Sequence, residues 1–249
     1  ELIHMATLVH DDVIDNSDTR RGAATVKSAW GNRISIYAGN YIFARALSLV
    51  ASYQRSEVVD VLAAASMQIC EGEIVQMLSC YNVSLGLKNY LRRIERKTAL
   101  LISVSCELGA MICAAAPTEI EALKNYGYYL GMGFQITDDI LDFVADEKTL
   151  GKPTGSDIRQ GIITLPSLYA LKYSSRRQEL STLLSSPQDC RERSERIIDI
   201  VLDSDGIDYA YAVTQHYAGK ARHQLDLLPD VPARNTFYEL TDFILDRDY

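Results

Sequence analysis

The chain has 249 residues, 47% of them hydrophobic, a net charge of -8, a pI near 5.1 and a mean hydropathy of -0.06. These values exclude disorder as the starting reading and exclude broad attraction to nucleic acid or an anionic membrane, so an anionic ligand needs local cations. The five cysteines (Cys70, Cys80, Cys106, Cys113, Cys190) lie mostly in apolar helical text without CxxC spacing, which predicts free, buried thiols in a reducing, cytoplasmic compartment.

In chain order, "ELIHMATLVHDD" places apolar side chains at 2, 3, 5, 6, 8 and 9 with no capping residue ahead of them. The chain is therefore expected to begin inside a helix, with upstream helices missing. No basic segment with a cleavage pattern opens it. A polar break at "NSDTRRGAA" precedes helical text over 33–53 and 56–78. "SCYNVSLG" ends the second of these. The apolar stretch 99–116 is interrupted by Glu107 and rich in Ala, Ser and Cys, which predicts a core helix and not a membrane span. After "AAAPTE", Gly127, Gly131 and Gly133 predict close helix approach. Further breaks fall at "DEKTLGKPTGSD", "SSPQD" and "LPDVPAR". No convincing alternating strand appears, and the breaks leave helices of roughly 15 to 25 residues. The expectation is an all-α bundle forming one domain over 1–249.

One motif occurs twice. "DDVID" at 11–15 returns as "DDILD" at 138–142, each after an apolar helix and before a polar loop with cations and glycine. Arg20, Arg21 and Gly22 follow the first; Lys148, Gly151 and Lys152 follow the second. On a helix, Asp11 and Asp15, or Asp138 and Asp142, lie about 6 Å apart along the axis. Two such carboxylates repel by about 3 kcal/mol at an effective dielectric of 20. Apolar Val13, Ile14, Ile140, Leu141 and Phe143 flank them, so neither helix end is a uniformly solvated strip. Oxygen ligands without nearby cysteine or paired histidine suit magnesium, which completes its shell with water and phosphate oxygens. One acidic cluster reads as a solvated helix end; two matched copies with matched basic loops read as a paired metal–phosphate site.

These residues resemble the all-trans polyprenyl (isoprenyl) diphosphate synthases. "LVHDDVIDNSDTRRG" is similar to the family's first aspartate-rich motif, and "GMGFQITDDILDFVADEKTLGKPTGSDIRQGIITLP" (131–166) to its second. "ERKTALL" (95–101) matches its Lys-Thr element and "GEIVQM" (72–77) its Gly-Glu-x-x-Gln helix, while Arg247 falls where the family places a C-terminal basic residue. The resemblance implies an isoprenoid-synthase helical bundle around a central cavity, of the hexaprenyl, heptaprenyl or octaprenyl type. It implies magnesium ligation chiefly by Asp11, Asp15 and Asp138, supported by Asp12, Asp139 and Asp142. Arg20, Lys97 and Lys152 would grip the allylic diphosphate, Arg21 the isopentenyl diphosphate, and Gln76 and Gln135 would line the same cavity. The Thr98 hydroxyl and the Gln135 carboxamide oxygen would face an allylic cation, and released pyrophosphate would take the proton. His10 reads as a structural neighbour of the first motif.

In short-product members bulky aromatics stand four and five residues before the first motif. Here Thr7 and Ala6 stand there, which implies a long product, a quinone side-chain precursor, stopped deeper by residues such as Leu2, Ile3, Tyr37 or Tyr41. Two departures stand out: the family's upstream Gly-Lys-Arg element is absent, and Asn40 replaces a common aspartate. The resemblance implies a homodimer or a heteromer with a small regulatory component, and a product that associates with membrane. A partner-dependent subunit is the rival from another class. A terpene cyclase usually carries an Asn/Ser/Glu-type second motif, and a His-Asp phosphohydrolase finds support only at His10 and Asp11.

Overall fold

The computed structural model describes residues 1–145 and 154–245. Lys148, Gly151, Lys152 and Arg247 lie outside the described residues. The chain divides into two compact units, Glu1–Ala63 and Ala64–Tyr249.

The first unit holds α1 (Leu2–Ile14), a hairpin of β1 (Thr19–Arg20) and β2 (Ala23–Ala24), α2 (Val26–Ala51) and the start of α3 (Ser56–Ser79). In α1 the buried residues Ile3, Ala6, Val9 and Asp12 recur every third position, one stripe of an amphipathic helix. α1 pairs with α2: Ser35 Oγ donates to the Val9 carbonyl at 3.2 Å, and His10 Nε2 stands 3.4 Å from the Ile36 carbonyl oxygen. Within α2, Gly31 is non-helical (φ 79°, ψ 167°) and kinks the helix path. The all-α expectation holds, with this hairpin of two residues per strand as the strand pairing among the described residues. The hairpin is too short for any alternating pattern to announce it.

Among the described residues, the helix long and apolar enough to cross a membrane is α2, not the 99–116 stretch. Length and composition are all that supports such a span, and α2 carries Arg33 and Arg45 and lies along α1.

In the second unit, α4 (Leu87–Ile94) runs through a π-helical turn (Glu95–Ala99) into α5 (Leu100–Ile112). α6 (Pro117–Val144) packs between α5 and α12 (Gly206–Leu225). Met132, Ile136 and Ile140, spaced by four, are fully buried in α6 beside Tyr90, Ile94, Ala99 and Leu165. Full burial of each such aliphatic side chain contributes about 1.5–3 kcal/mol. Two glycines let α6 approach. A Cβ on Gly131 would lie 2.5 Å from Ala99 Cα, and one on Gly127 would lie 2.8 Å from the Ile102 carbonyl oxygen. Gly133 has no such neighbour, its nearest atoms lying at 3.8 Å.

Beyond α6 come α7 (Ser156–Arg159), α8 (Leu165–Tyr173), α9 (Arg177–Leu184), α10 (Pro187–Glu192) and α11 (Ser194–Leu202), around a core of Phe143, Ile158, Leu180, Leu184, Ile197 and Ile200. These helices are shorter than expected. Their apolar residues close a compact cluster within two turns of each helix, so length adds nothing. α13 (Pro232–Leu245) closes over α6: Tyr126 donates to the Phe237 carbonyl at 2.9 Å, and the two rings meet edge to face. The cysteines are free, as expected, but only Cys190 is buried; Cys70 and Cys113 are exposed. Cys70 lies on the exposed side of α3 and Cys113 in the turn that ends α5, where a small apolar side chain costs little.

Candidate active site

The first acidic segment closes α1. Asn16 is left-handed (φ 53°), the Ser17 N–H reaches the Asp12 carbonyl at 2.9 Å and the Asn16 N–H the Val13 carbonyl at 3.4 Å. That is the double closure of a helix C-terminus by a left-handed residue, which asparagine tolerates. The chain then reverses through Arg21 (φ 52°) and Gly22 (φ 76°), the paired positive φ of a type I′ hairpin turn. Thr25 fastens the far end. Its hydroxyl accepts from the Ser28 N–H at 3.0 Å, capping α2, and donates to the Ser17 carbonyl at 2.9 Å. Lys27 donates to the Asn16 carbonyl at 3.0 Å and to Asp18 at 2.9 Å.

This local frame returns Arg20 to the helix end, where its Nε donates to Asp12 Oδ1 at 2.7 Å. Asp12 is buried, Asp11 half-buried and Asp15 exposed, and Arg21 is exposed at the turn. Arg20 thus engages Asp12 and carries its cation to the motif.

In the second unit, the Lys-Thr element lies in the π-helical turn Glu95–Ala99. Such wide turns re-aim side chains and recur at functional sites. The Thr98 hydroxyl donates to Gln135 Oε1, and Gln135 Nε2 donates to Asp139 Oδ1 at 2.9 Å. Tyr90 donates its phenolic proton to Asp139 Oδ2 at 2.7 Å. Burial, with the Asp157 charge adding to it, pushes Asp139 well above the usual carboxylate range, partly opposed by the Gln135 hydrogen bond and Arg93. Burial, followed by Asp139, likewise raises Tyr90.

Asp142 is buried and serves the backbone: it accepts from the Ser156 N–H at 3.2 Å and the Asp157 N–H at 3.0 Å, at the start of α7. Its carbonyl also accepts from the Gly155 N–H at 2.8 Å. Asp138 is half-buried. On α3, Glu73 Oε1 lies 3.9 Å from Lys97 Nζ, and the buried Gln76 donates to Glu73 at 3.5 Å.

The six aspartates therefore sort by environment. Asp12, Asp139 and Asp142 are buried against protein donors, whereas Asp11, Asp15 and Asp138 keep access to solvent. Among the described residues, no three His, Cys, Asp or Glu side chains form a closed metal cage. Small carboxylate sets suit a hard cation that keeps waters and takes phosphate oxygens. Sequence reasoning missed Tyr90 and Arg93, and met Glu73 only as part of the Gly-Glu-x-x-Gln element. Tyr90 stands in the apolar register of "LKNYLRRI", where an aromatic reads as core; only its long-range partner reveals the hydroxyl.

Ala6 is 1% exposed, on the stripe with Ile3 and Val9. The Thr7 hydroxyl donates to its own helix at the His4 carbonyl, 2.8 Å, which masks its polarity. Of the deeper residues, Ile3 is buried, whereas Leu2, Tyr37 and Tyr41 are exposed.

The family model for polyprenyl synthetase matches residues 1–201. Heptaprenyl diphosphate synthase component 2 of Geobacillus stearothermophilus is 46% identical over the whole chain and 77% of its own length. The crystal structure of heptaprenyl diphosphate synthase from Staphylococcus aureus superposes with a TM-score of 0.93 at 40% identity, over 100% of this chain and 78% of that one. A polyprenyl synthase from Caulobacter crescentus CB15, complexed with calcium and isoprenyl diphosphate, gives 0.90 at 35% identity, over 100% and 76%. Whole-chain agreement in sequence and fold, with both acidic motifs in place, makes this chain a member of the polyprenyl synthetase family and a prenyltransferase.

Proposed function

We propose that the chain extends an allylic diphosphate with isopentenyl diphosphate, in a magnesium-dependent reaction that yields a long all-trans polyprenyl diphosphate and pyrophosphate. The observation that carries this reading is the division of the aspartates. Asp11, Asp15 and Asp138 keep solvent access for a metal, while Asp12, Asp139 and Asp142 are spent on holding Arg20, Gln135 and α7. Bound magnesium would neutralise charge on the departing diphosphate. Arg20 and Lys97 add cations for the same diphosphate, with Lys152 a further one from outside the described residues, and Arg21 serves the isopentenyl diphosphate. Gln76, linked through Glu73 to Lys97, lines the same site.

The allylic carbon–oxygen bond breaks with its electron pair leaving on diphosphate. Thr98 and Gln135 place oxygen lone pairs toward the allylic cation. The isopentenyl double bond then supplies the electrons of the new carbon–carbon bond, and a proton passes to pyrophosphate. The small Ala6 and the masked Thr7 favour products of hexaprenyl length or longer, the precursors of quinone side chains. A cytoplasmic dimer delivering an apolar product to membrane fits this chemistry.

The name of the Geobacillus relative, a component 2, favours a second reading in which turnover needs a small regulatory partner. Both are tested by incubating the full-length protein with labelled isopentenyl diphosphate, an allylic diphosphate and magnesium, alone and with the partner component, and sizing the product by chromatography. Long prenyl product in the first case supports an autonomous enzyme; product only with the partner supports the heteromer. No prenyl product in either case refutes the reading.

A further inference from the structure

The chain of polar side chains from half-buried Thr98 and Gln135 to buried Asp139 and Tyr90 goes beyond the substrate contacts. We infer that Tyr90 is a positioning residue and that Asp139, instead of ligating metal, relays its hold to the Gln135 carboxamide. This rests on the proposed function only for the cation-facing role of Gln135.

Asp139 is 3% exposed and each of its oxygens has a protein donor, Tyr90 at 2.7 Å and Gln135 at 2.9 Å. A glutamine carboxamide is nearly symmetric in shape, so its partners decide which end is oxygen. With Asp139 ionised, the form that both of these hydrogen bonds favour, the carboxylate accepts and does not donate, so the group facing it is the NH2 and Oε1 is left facing Thr98. Reversal would aim N–H groups where the allylic cation develops, the wrong sign of dipole. Asp139 enforces the orientation only while it is itself fixed. Tyr90 fixes it from α4: the residue is 2% exposed, and Arg93, anchored at 2.9 Å to the Ile163 carbonyl, stands 5.3 Å from its ring centroid.

The test pairs turnover with calorimetry of inorganic pyrophosphate binding in magnesium, on the full-length protein with any partner it requires. In Tyr90→Phe, kcat is expected to fall about tenfold, with KM for both diphosphates within about twofold and pyrophosphate stoichiometry unchanged, so that lost folded protein is not the cause. In Asp139→Asn, magnesium–pyrophosphate affinity is expected within about twofold of the parent, whereas Asp138→Asn weakens it at least about tenfold. The inference is overturned by a Tyr90→Phe kcat within about twofold of the parent, or by Asp139→Asn weakening pyrophosphate as Asp138→Asn does. If Tyr90→Phe does not fold, the Asp139→Asn titration decides. A parent without turnover sinks the proposed function, and the same titration still decides whether Asp139 holds metal.

Discussion

Arg21 sits at φ 52°, in a turn whose two central residues both demand the left-handed region. A side chain there is strained, a cost that the proposed role of Arg21 at isopentenyl diphosphate would offset. Arg21→Gly is expected to leave thermal stability unchanged or to raise it by up to about 1 kcal/mol, while the KM for isopentenyl diphosphate rises. Thr25 shows the opposite balance. Its hydroxyl both caps α2 and ties down the loop at Ser17, so Thr25→Ala is expected to cost about 1–2 kcal/mol in a denaturant melt. The sequence made the aspartates legible as a set, because repetition and spacing are visible in one dimension. The split of chief Asp11, Asp15 and Asp138 from supporting Asp12, Asp139 and Asp142 came with the family resemblance; spacing alone does not give it, because burial and the donors at Arg20, Tyr90 and Ser156 come from chain reversal and long-range packing.

Helix text was legible wherever apolar residues keep a three-to-four spacing over several turns, as in α2, α3 and α6. It failed in two places with one cause. The hairpin is two residues per strand, and α7 to α11 are short helices whose ends are set by tertiary contacts such as Asp142 on α7. The π-helical turn at Glu95–Ala99 also escaped, since nothing in ERKTA sets it apart in sequence from the α-helix on either side. The glycines of α6 separate packing from propensity. Gly131→Ala places a methyl against Ala99 backbone and is expected to cost about 1–3 kcal/mol and to lower activity by moving Thr98 against Gln135. Gly133→Ala meets nothing closer than 3.8 Å and is expected to be neutral or stabilising by up to about 1 kcal/mol. Parallel thermal melts of the two variants check the contrast.

For the molecule as a whole, helical periodicity reached an all-α bundle and the two motifs a paired metal–phosphate site, while the prenyltransferase came from the family resemblance, which also draws on the Lys-Thr and Gly-Glu-x-x-Gln elements. Product length belongs to this scale, since the proposed function assigns it to space beside α1 and not to any reacting group. Ala6→Phe is expected to shorten the product distribution, read by chromatography, without abolishing the first condensation. Unchanged length at retained activity places the stop elsewhere. The account rests on both acidic motifs serving one diphosphate. Calorimetry of magnesium–pyrophosphate binding to Asp11→Asn, Asp138→Asn and the double variant tests this most directly. The account predicts that either single change weakens binding at least about tenfold and that the double loses clearly less than the product of the two. Independent, multiplying losses, or full affinity after either single change, would contradict it.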